Sequence, residues 1–282
     1  MKRGAECTKI CSSGGIELAT KKIKQLEKIL IAVGIALLAV VIICIVVFSR
    51  ADKVSAPEAI PVLTTTTTTT TTTTVTTTTT VTYDYTMHID MEKVRQHHEK
   101  NPDVVGWVYV NDTPIDYPIV QKDDNAYYID RDWEGNHSSA GSIFEDFRGK
   151  INETENTLLY GHNMGNGSMF HSVKNFKEEE WGRQHIYFEV ATLEKRYLYR
   201  IVASSVLNGE DGAAFDYWNR ITLNQEEFQK YIEEIRSTAL VWYAPDDDPP
   251  TYGDKMIALQ TCNSGADDGI RCILFGQCLG EY

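Results

Sequence analysis

Residues 255–275 read KMIALQTCNSGADDGIRCILF, and this stretch decides the class of fold. Two apolar runs rich in β-favouring residues, Lys255–Thr261 and Arg271–Phe275, flank the small polar loop NSGADDG. That pattern is strand, loop, strand. Working outward, the same signature recurs at Val104–Val110, Ile115–Val120, Ser142–Phe144, Thr157–Tyr160, Ile186–Val190 and Arg196–Val206. Pro118 assigns an edge or bulge position to its strand, because proline cannot donate to a ladder. Two helices interrupt the strands. MEKVRQHHEKN at 91–101 stops at Pro102. From Asn224 the chain reads NQEEFQKYIEEIRSTALVW, with Phe228, Tyr231, Ile232 and Ile235 on one helical face and Asn224 as N-cap. A strand-dominated chain with few helices folds as a closed barrel or a sandwich.

The flanking sequence differs in kind. The chain has 282 residues and a formal net charge of -13. Residues 1–63 carry 9 basic and 5 acidic residues, net +4, so the -17 of residues 83–282 dominates. An acidic domain lacks the basic footprint that nucleic acid requires, which excludes it as a partner. Residues 29–48, ILIAVGIALLAVVIICIVVF, are 20 consecutive uncharged residues. As a helix they reach roughly 30 Å, enough to cross a bilayer core. Seven basic residues precede this span and only Arg50 and Lys53 closely follow it. The asymmetry keeps the N-terminus cytoplasmic and sends the remainder outside. Thr64–Thr82 is threonine apart from Val75 and Val81. With no apolar face to bury, it reads as a spacer whose extended reach is about 60 Å. The expected organisation is therefore a cytoplasmic segment 1–28, a membrane helix 29–48, an extracellular linker 49–82 and a catalytic or binding domain 83–282.

Nucleophilic chemistry concentrates at strand ends. Cys262 closes MIALQTC where a flexible loop begins, a place suited to a nucleophile or to a half-buried structural thiol. Three cysteines, Cys262, Cys272 and Cys278, lie on the outer side. An odd count leaves at least one without an intrachain partner. Cys272 and Cys278 sit on one strand about 20 Å apart, out of disulfide reach. Of seven histidines, His162 stands out, following the apolar strand TLLY at Gly161 and opening the glycine-rich loop GHNMGNGS. His88, His97 and His98 read as solvated. Arg271 opens the strand after the Cys262 loop, and its permanently charged fork suits a carbonyl or oxyanion. No metal is implied: Cys7 and Cys11 lack companion ligands, and Asp246–Pro250 lacks calcium-loop spacing. No phosphate or dinucleotide fingerprint is present, so no cofactor is expected.

These residues carry a resemblance. Thr261–Cys262 after a strand, Arg271 at the next strand and Tyr160-Gly161-His162-Asn163-Met164 upstream are similar to the sortases, most closely class B. Asn101–Trp107, Ile115–Pro118, Ala140–Phe144 and Gly167–Phe170 resemble the same class in the same order, and the similarity covers about residues 88–282. The resemblance implies an eight-stranded β-barrel with an N-terminal helix and a long helix, residues 224–238, between strands six and seven. It implies a cysteine transpeptidase that cuts a C-terminal sorting signal of secreted proteins and joins the new carboxyl end to an amine. By position, Cys262 is the nucleophile, His162 the acid and base, and Arg271 the carbonyl or oxyanion stabiliser. Asn125, Ile129, Tyr217, Trp218, Gln260 and Thr261 are the expected substrate contacts. Two acceptors compete, an amine of peptidoglycan or a pilin lysine. A function of another class, a non-catalytic adhesin on a threonine stalk, is the alternative.

Overall fold

The computed structural model describes residues 64–65, 81–82, 85–264 and 268–282. The chain divides into two units, Met1–Asp84 and Tyr85–Tyr282. In the first, Thr64–Thr65 pairs antiparallel with Val81–Thr82. The expected cytoplasmic segment and membrane span at 1–48 lie outside the described residues. Among the described residues no helix is long and apolar enough to cross a membrane.

The second unit opens with helix α1, Met91–Lys100, capped by the Asp90 carboxylate, which accepts from the Glu92 and Lys93 N–H groups. Nine strands follow: β1 Val104–Val110, β2 Asp116–Val120, β3 Ile143–Glu145, β4 Asn156–Tyr160, β5 Tyr187–Thr192, β6 Arg196–Asn208, β7 Ala239–Trp242, β8 Met256–Cys262 and β9 Ile270–Glu281. Their order is β9-β8-β4-β3-β2-β1-β5-β6-β7, and β9 pairs with β6. That last pairing closes eight strands into a barrel, as the resemblance implied. The ninth, β7, joins the edge of β6 beyond the end of β5.

Side-chain parity builds two apolar layers. Val108, Ile119, Ile143, Leu159, Phe188, Tyr199, Ile257 and Leu274 fill the barrel interior. The opposite faces of β4, β6, β8 and β9, through Leu158, Val202, Ala258, Ile273 and Phe275, pack outward. They meet Phe228, Tyr231, Ile232 and Ile235 of α3, Gln225–Thr238. A capping box starts α3: the Asn224 side chain accepts from the Glu227 N–H, and the Glu227 carboxylate accepts from the Asn224 N–H. The helix ends at Thr238, where the resemblance ended it, and Ala239–Trp242 leaves helical dihedrals and pairs with β6 as a strand the sequence reading did not name.

Other departures have local causes. Pro118 is no departure: it faces Trp107 on one side and has an open edge on the other, the position the sequence reading gave it, since β3 pairs with β2 only at Ile119 and Val120. The missing N–H therefore falls where no ladder bond is required. Helix α2, Glu179–Gln184, and the 3₁₀ stretch Phe170–Lys177 were not anticipated. Of the early histidines, His88 is exposed as expected, whereas His97 and His98 are half-buried, and all three have partners. His88 donates its backbone N–H to the buried Glu189 carboxylate at 2.8 Å, and its Nδ1 lies 2.8 Å from the same oxygen. His97 Nδ1 lies 2.7 Å from the Lys93 carbonyl, and His98 Nδ1 2.8 Å from the Val104 carbonyl.

Candidate active site

Cys262 ends β8 and Arg271 stands directly opposite it on β9. Opposite residues of an antiparallel pair share a face, so thiol and guanidinium rise from the same side of the sheet. Parity puts that side with Ala258 and Ile273, on the outer face of the barrel. On its other edge β8 runs parallel to β4, with Gln260 beside Tyr160. The ladder runs one step further, since the Gly161 N–H donates to the Gln260 carbonyl at 3.1 Å. His162 and Cys262 are each two residues past this pair, so they finish neighbouring strands. Asn163 clips the two ends together: its amide donates to the Cys262 carbonyl at 3.0 Å.

These three side chains line one cleft of about 390 Å³. Asn125, Ile129, Trp218, Gln260 and Thr261, five of the six residues named as expected substrate contacts, line it too. Tyr217 does not reach it. Tyr217 is fully buried, and its hydroxyl donates to Gln260 Oε1 at 2.7 Å, so it acts on the cleft through Gln260. Asn125 has little left to offer a ligand. Its amide donates to Asp146 Oδ2 at 2.9 Å, and its carbonyl accepts from the Phe147 N–H at 3.0 Å. Ile129 has two parts to play. Its side chain is 44% exposed. Its backbone carbonyl lies 2.8 Å from His162 Nε2. A carbonyl only accepts, so Nε2 carries the proton and Nδ1 is the nitrogen left for proton exchange. Gly141, at φ 58°, leans against that carbonyl, where a Cβ would overlap the Ile129 oxygen.

Arg271 is steered by a second glycine. A Cβ on Gly209 would come within 2.6 Å of Arg271 Cγ. Only a bare backbone leaves the arginine stem its path across β6 to the cleft. The Asn263 N–H, directly after Cys262, donates to the Ile270 carbonyl at 3.0 Å. It is spent on the sheet, and on the cysteine's own face the Arg271 fork, whose Nη1 donates to the same Ile270 carbonyl at 3.3 Å, lines the cleft.

The other two thiols are placed differently. Cys262, Cys272 and Cys278 are all free. Burial pushes the Cys272 thiol up, against the pull of Lys177 beside it. Burial likewise pushes Cys278 up to about 11. Both thiols are thereby held protonated and poorly nucleophilic at neutral pH. Among the described residues no group of His, Cys, Asp and Glu is arranged to hold a metal ion.

Sequence reasoning missed Asn163 as a positioning group, although it quoted the residue, and missed Asp146 and Arg148 altogether. Asp146 is fully buried under the cleft. Burial alone would raise its pKa, but hydrogen bonds from Arg148, Tyr160 and Asn125 prevail and hold it below the usual carboxylate range.

Comparison with known proteins bears on this geometry. The sortase-domain family model matches residues 108–278. Sortase B of Listeria monocytogenes is 30% identical over 178 residues, which cover 62% of this chain and 69% of that protein. Among solved structures, Clostridium perfringens sortase B aligns with a TM-score of 0.59 at 28% identity, covering 65% of this chain and 98% of the other. The Staphylococcus aureus sortase B–substrate complex aligns with a TM-score of 0.60, covering 67% and 85%, and at 24% identity it speaks for the fold.

Proposed function

Because the chain belongs to the sortase family, in its class B, we propose that it is a membrane-anchored cysteine transpeptidase acting through Cys262, His162 and Arg271. The observation that carries this reading is the convergence of those three side chains on one cleft from two adjacent strand ends and a cross-strand partner. The Cys262 thiolate attacks the carbonyl of the sorting signal's threonine. Arg271 donates to the oxyanion. His162, as imidazolium, gives a proton to the departing amine, and a thioester to Cys262 remains. Neutral His162 then takes a proton from the incoming amine, which attacks the thioester and frees the thiol. Throughout, Ile129 holds Nε2–H, so the ring exchanges protons at Nδ1.

The substrates are secreted proteins ending in an NPxTx- or LPxTG-like signal, and the acceptor is an amine of peptidoglycan. Residues 29–48 anchor the enzyme in membrane lipid with its N-terminus cytoplasmic and its barrel outside, where such substrates emerge. The test is product analysis by mass spectrometry of the detergent-solubilised full chain with both peptide types and a small amine. An amine-capped peptide ending in threonine, absent with Cys262→Ala, supports the reading. Hydrolysed peptide alone, undiminished as amine is added, identifies an endopeptidase instead. Replacing the small amine by a peptidoglycan fragment or a pilin-type lysine peptide distinguishes the acceptors.

A further inference from the structure

The walls of the cleft come from segments far apart in sequence: Asn125 after β2, Tyr160 at the end of β4, and Trp218 in the 3₁₀ turn Tyr217–Asn219. All three are tied to one ion pair, between the buried Asp146 carboxylate and the partly exposed Arg148. The Tyr160 hydroxyl donates to Asp146 Oδ2 at 2.8 Å, and the Asn125 amide donates to the same oxygen at 2.9 Å. Arg148 grips the carboxylate with both arms of its fork, Nε to Oδ1 and Nη2 to Oδ2, each at 2.8 Å. The same guanidinium reaches across to the other wall. Nη2 donates to the Trp218 carbonyl at 2.7 Å, and Nη1 donates to Asn219 Oδ1 at 2.9 Å. A buried carboxylate is costly unless its lone pairs are met, and here five donors meet them, the fifth being the Arg148 backbone N–H. The donors were spent on joining two cleft walls that share no strand pairing.

We propose that the Asp146–Arg148 pair is a positioning device for substrate recognition, fixing the spacing between the Asn125–Tyr160 wall and the Trp218 wall without touching the reacting atoms. The inference rests on the transpeptidase reading of the same cleft. A pair serving stability alone would behave differently, because its loss would lower the melting temperature and leave the Michaelis constant where it was.

Steady-state kinetics of the full chain in detergent, with a sorting-signal peptide, separate the two. Arg148→Lys keeps the charge, but a single ammonium cannot hold Asp146, the Trp218 carbonyl and Asn219 together. Asp146→Asn keeps the shape and one acceptor oxygen while removing the charge. The expected result for both is a KM raised about tenfold with kcat within about twofold of wild type. Alkylation of Cys262 by iodoacetamide proceeds at the wild-type rate, because the nucleophile is not part of the pair. Should Asp146→Asn fail to fold, Arg148→Lys carries the test, since that side chain is 35% exposed. An unchanged KM in an active Arg148→Lys enzyme overturns the inference, and so does a fall in kcat with slowed alkylation. A wild-type chain that turns over no peptide overturns the transpeptidase reading and takes this inference with it, an outcome distinct from either of the others.

Discussion

Arg271 concentrates the proposed chemistry of the site at the scale of a single residue. It is the cross-strand partner of Cys262, and its stem passes where Gly209 has no side chain. Two substitutions separate charge from placement. Arg271→Lys keeps a cation but loses the planar fork, so kcat/KM falls by about 10²- to 10³-fold, the range for losing an oxyanion donor. Gly209→Ala leaves every catalytic group in the sequence and displaces the arginine stem, with an expected loss on the order of tenfold or more in kcat. Both are read by steady-state kinetics beside iodoacetamide labelling of Cys262. Wild-type turnover in Gly209→Ala would show that Arg271 does not need its present path. Lys177 marks the boundary of the surroundings of Cys262 on the inner side. Its ammonium donates to Asn263 Oδ1 at 2.5 Å and lies beside the buried Cys272 thiol, behind the face that carries Cys262.

The parallel pair β4 and β8 brings His162 and Cys262 together at the scale of elements, and α3 supports it from outside through Phe228, Tyr231 and Ile235. Removing the helix cap tests that support. Asn224→Ala loses one half of the capping box and costs about 1 kcal/mol of stability, measured by denaturant unfolding. Activity at low temperature is retained, because the cap lies apart from the cleft. A loss of turnover equal to that of Arg271→Lys would contradict this layering. The elements that place Cys262 and His162 were legible in the sequence for a physical reason. MIALQTC and TLLYGH alternate or run apolar up to a polar loop, and burial on a sheet face enforces such patterns locally. The 3₁₀ stretch Phe170–Lys177 and strand β7 carry no comparable period. Nothing in FHSVKNFK distinguishes a 3₁₀ turn from a loop, and ALVW continues an apolar helix pattern until tertiary pairing with β6 claims it. Asn163, Asp146 and Arg148 escaped for a different reason. Their partners lie up to 99 residues away, and a long-range hydrogen bond leaves no local signature.

At the scale of the whole molecule, one buried carboxylate lies outside the proposed catalytic cycle. Glu145 on β3 is buried, and desolvation pushes its pKa up to about 8, partly opposed by the Ile151 N–H beside it. Its ordinary value is 4.5. Between those values the folded chain holds a proton that the unfolded chain has released, so stability falls as pH rises across that window. Below it both states are protonated and the pH dependence vanishes. Glu145→Gln removes the dependence: its melting temperature matches wild type near pH 4 and exceeds it increasingly toward pH 8. Parallel melting curves for the two proteins across that range would show that Glu145 is already ionised in the fold. Asp146, next in sequence, has the opposite sign. Held below the usual carboxylate range, it stabilises above about pH 4 and loses that contribution as acid protonates it. Adjacent carboxylates thus pull the stability profile in opposite directions, one facing the barrel and the other serving the cleft.

Intact-mass spectrometry of the full chain mixed with a sorting-signal peptide, quenched before the acceptor amine is added, tests the central claim most directly. The account predicts a mass gain equal to the peptide through its threonine, mapped to Cys262, released by hydroxylamine as a thioester must be, and absent in Cys262→Ala. Peptide cleavage with no adduct at Cys262, or an adduct on Cys272 or Cys278, would contradict it.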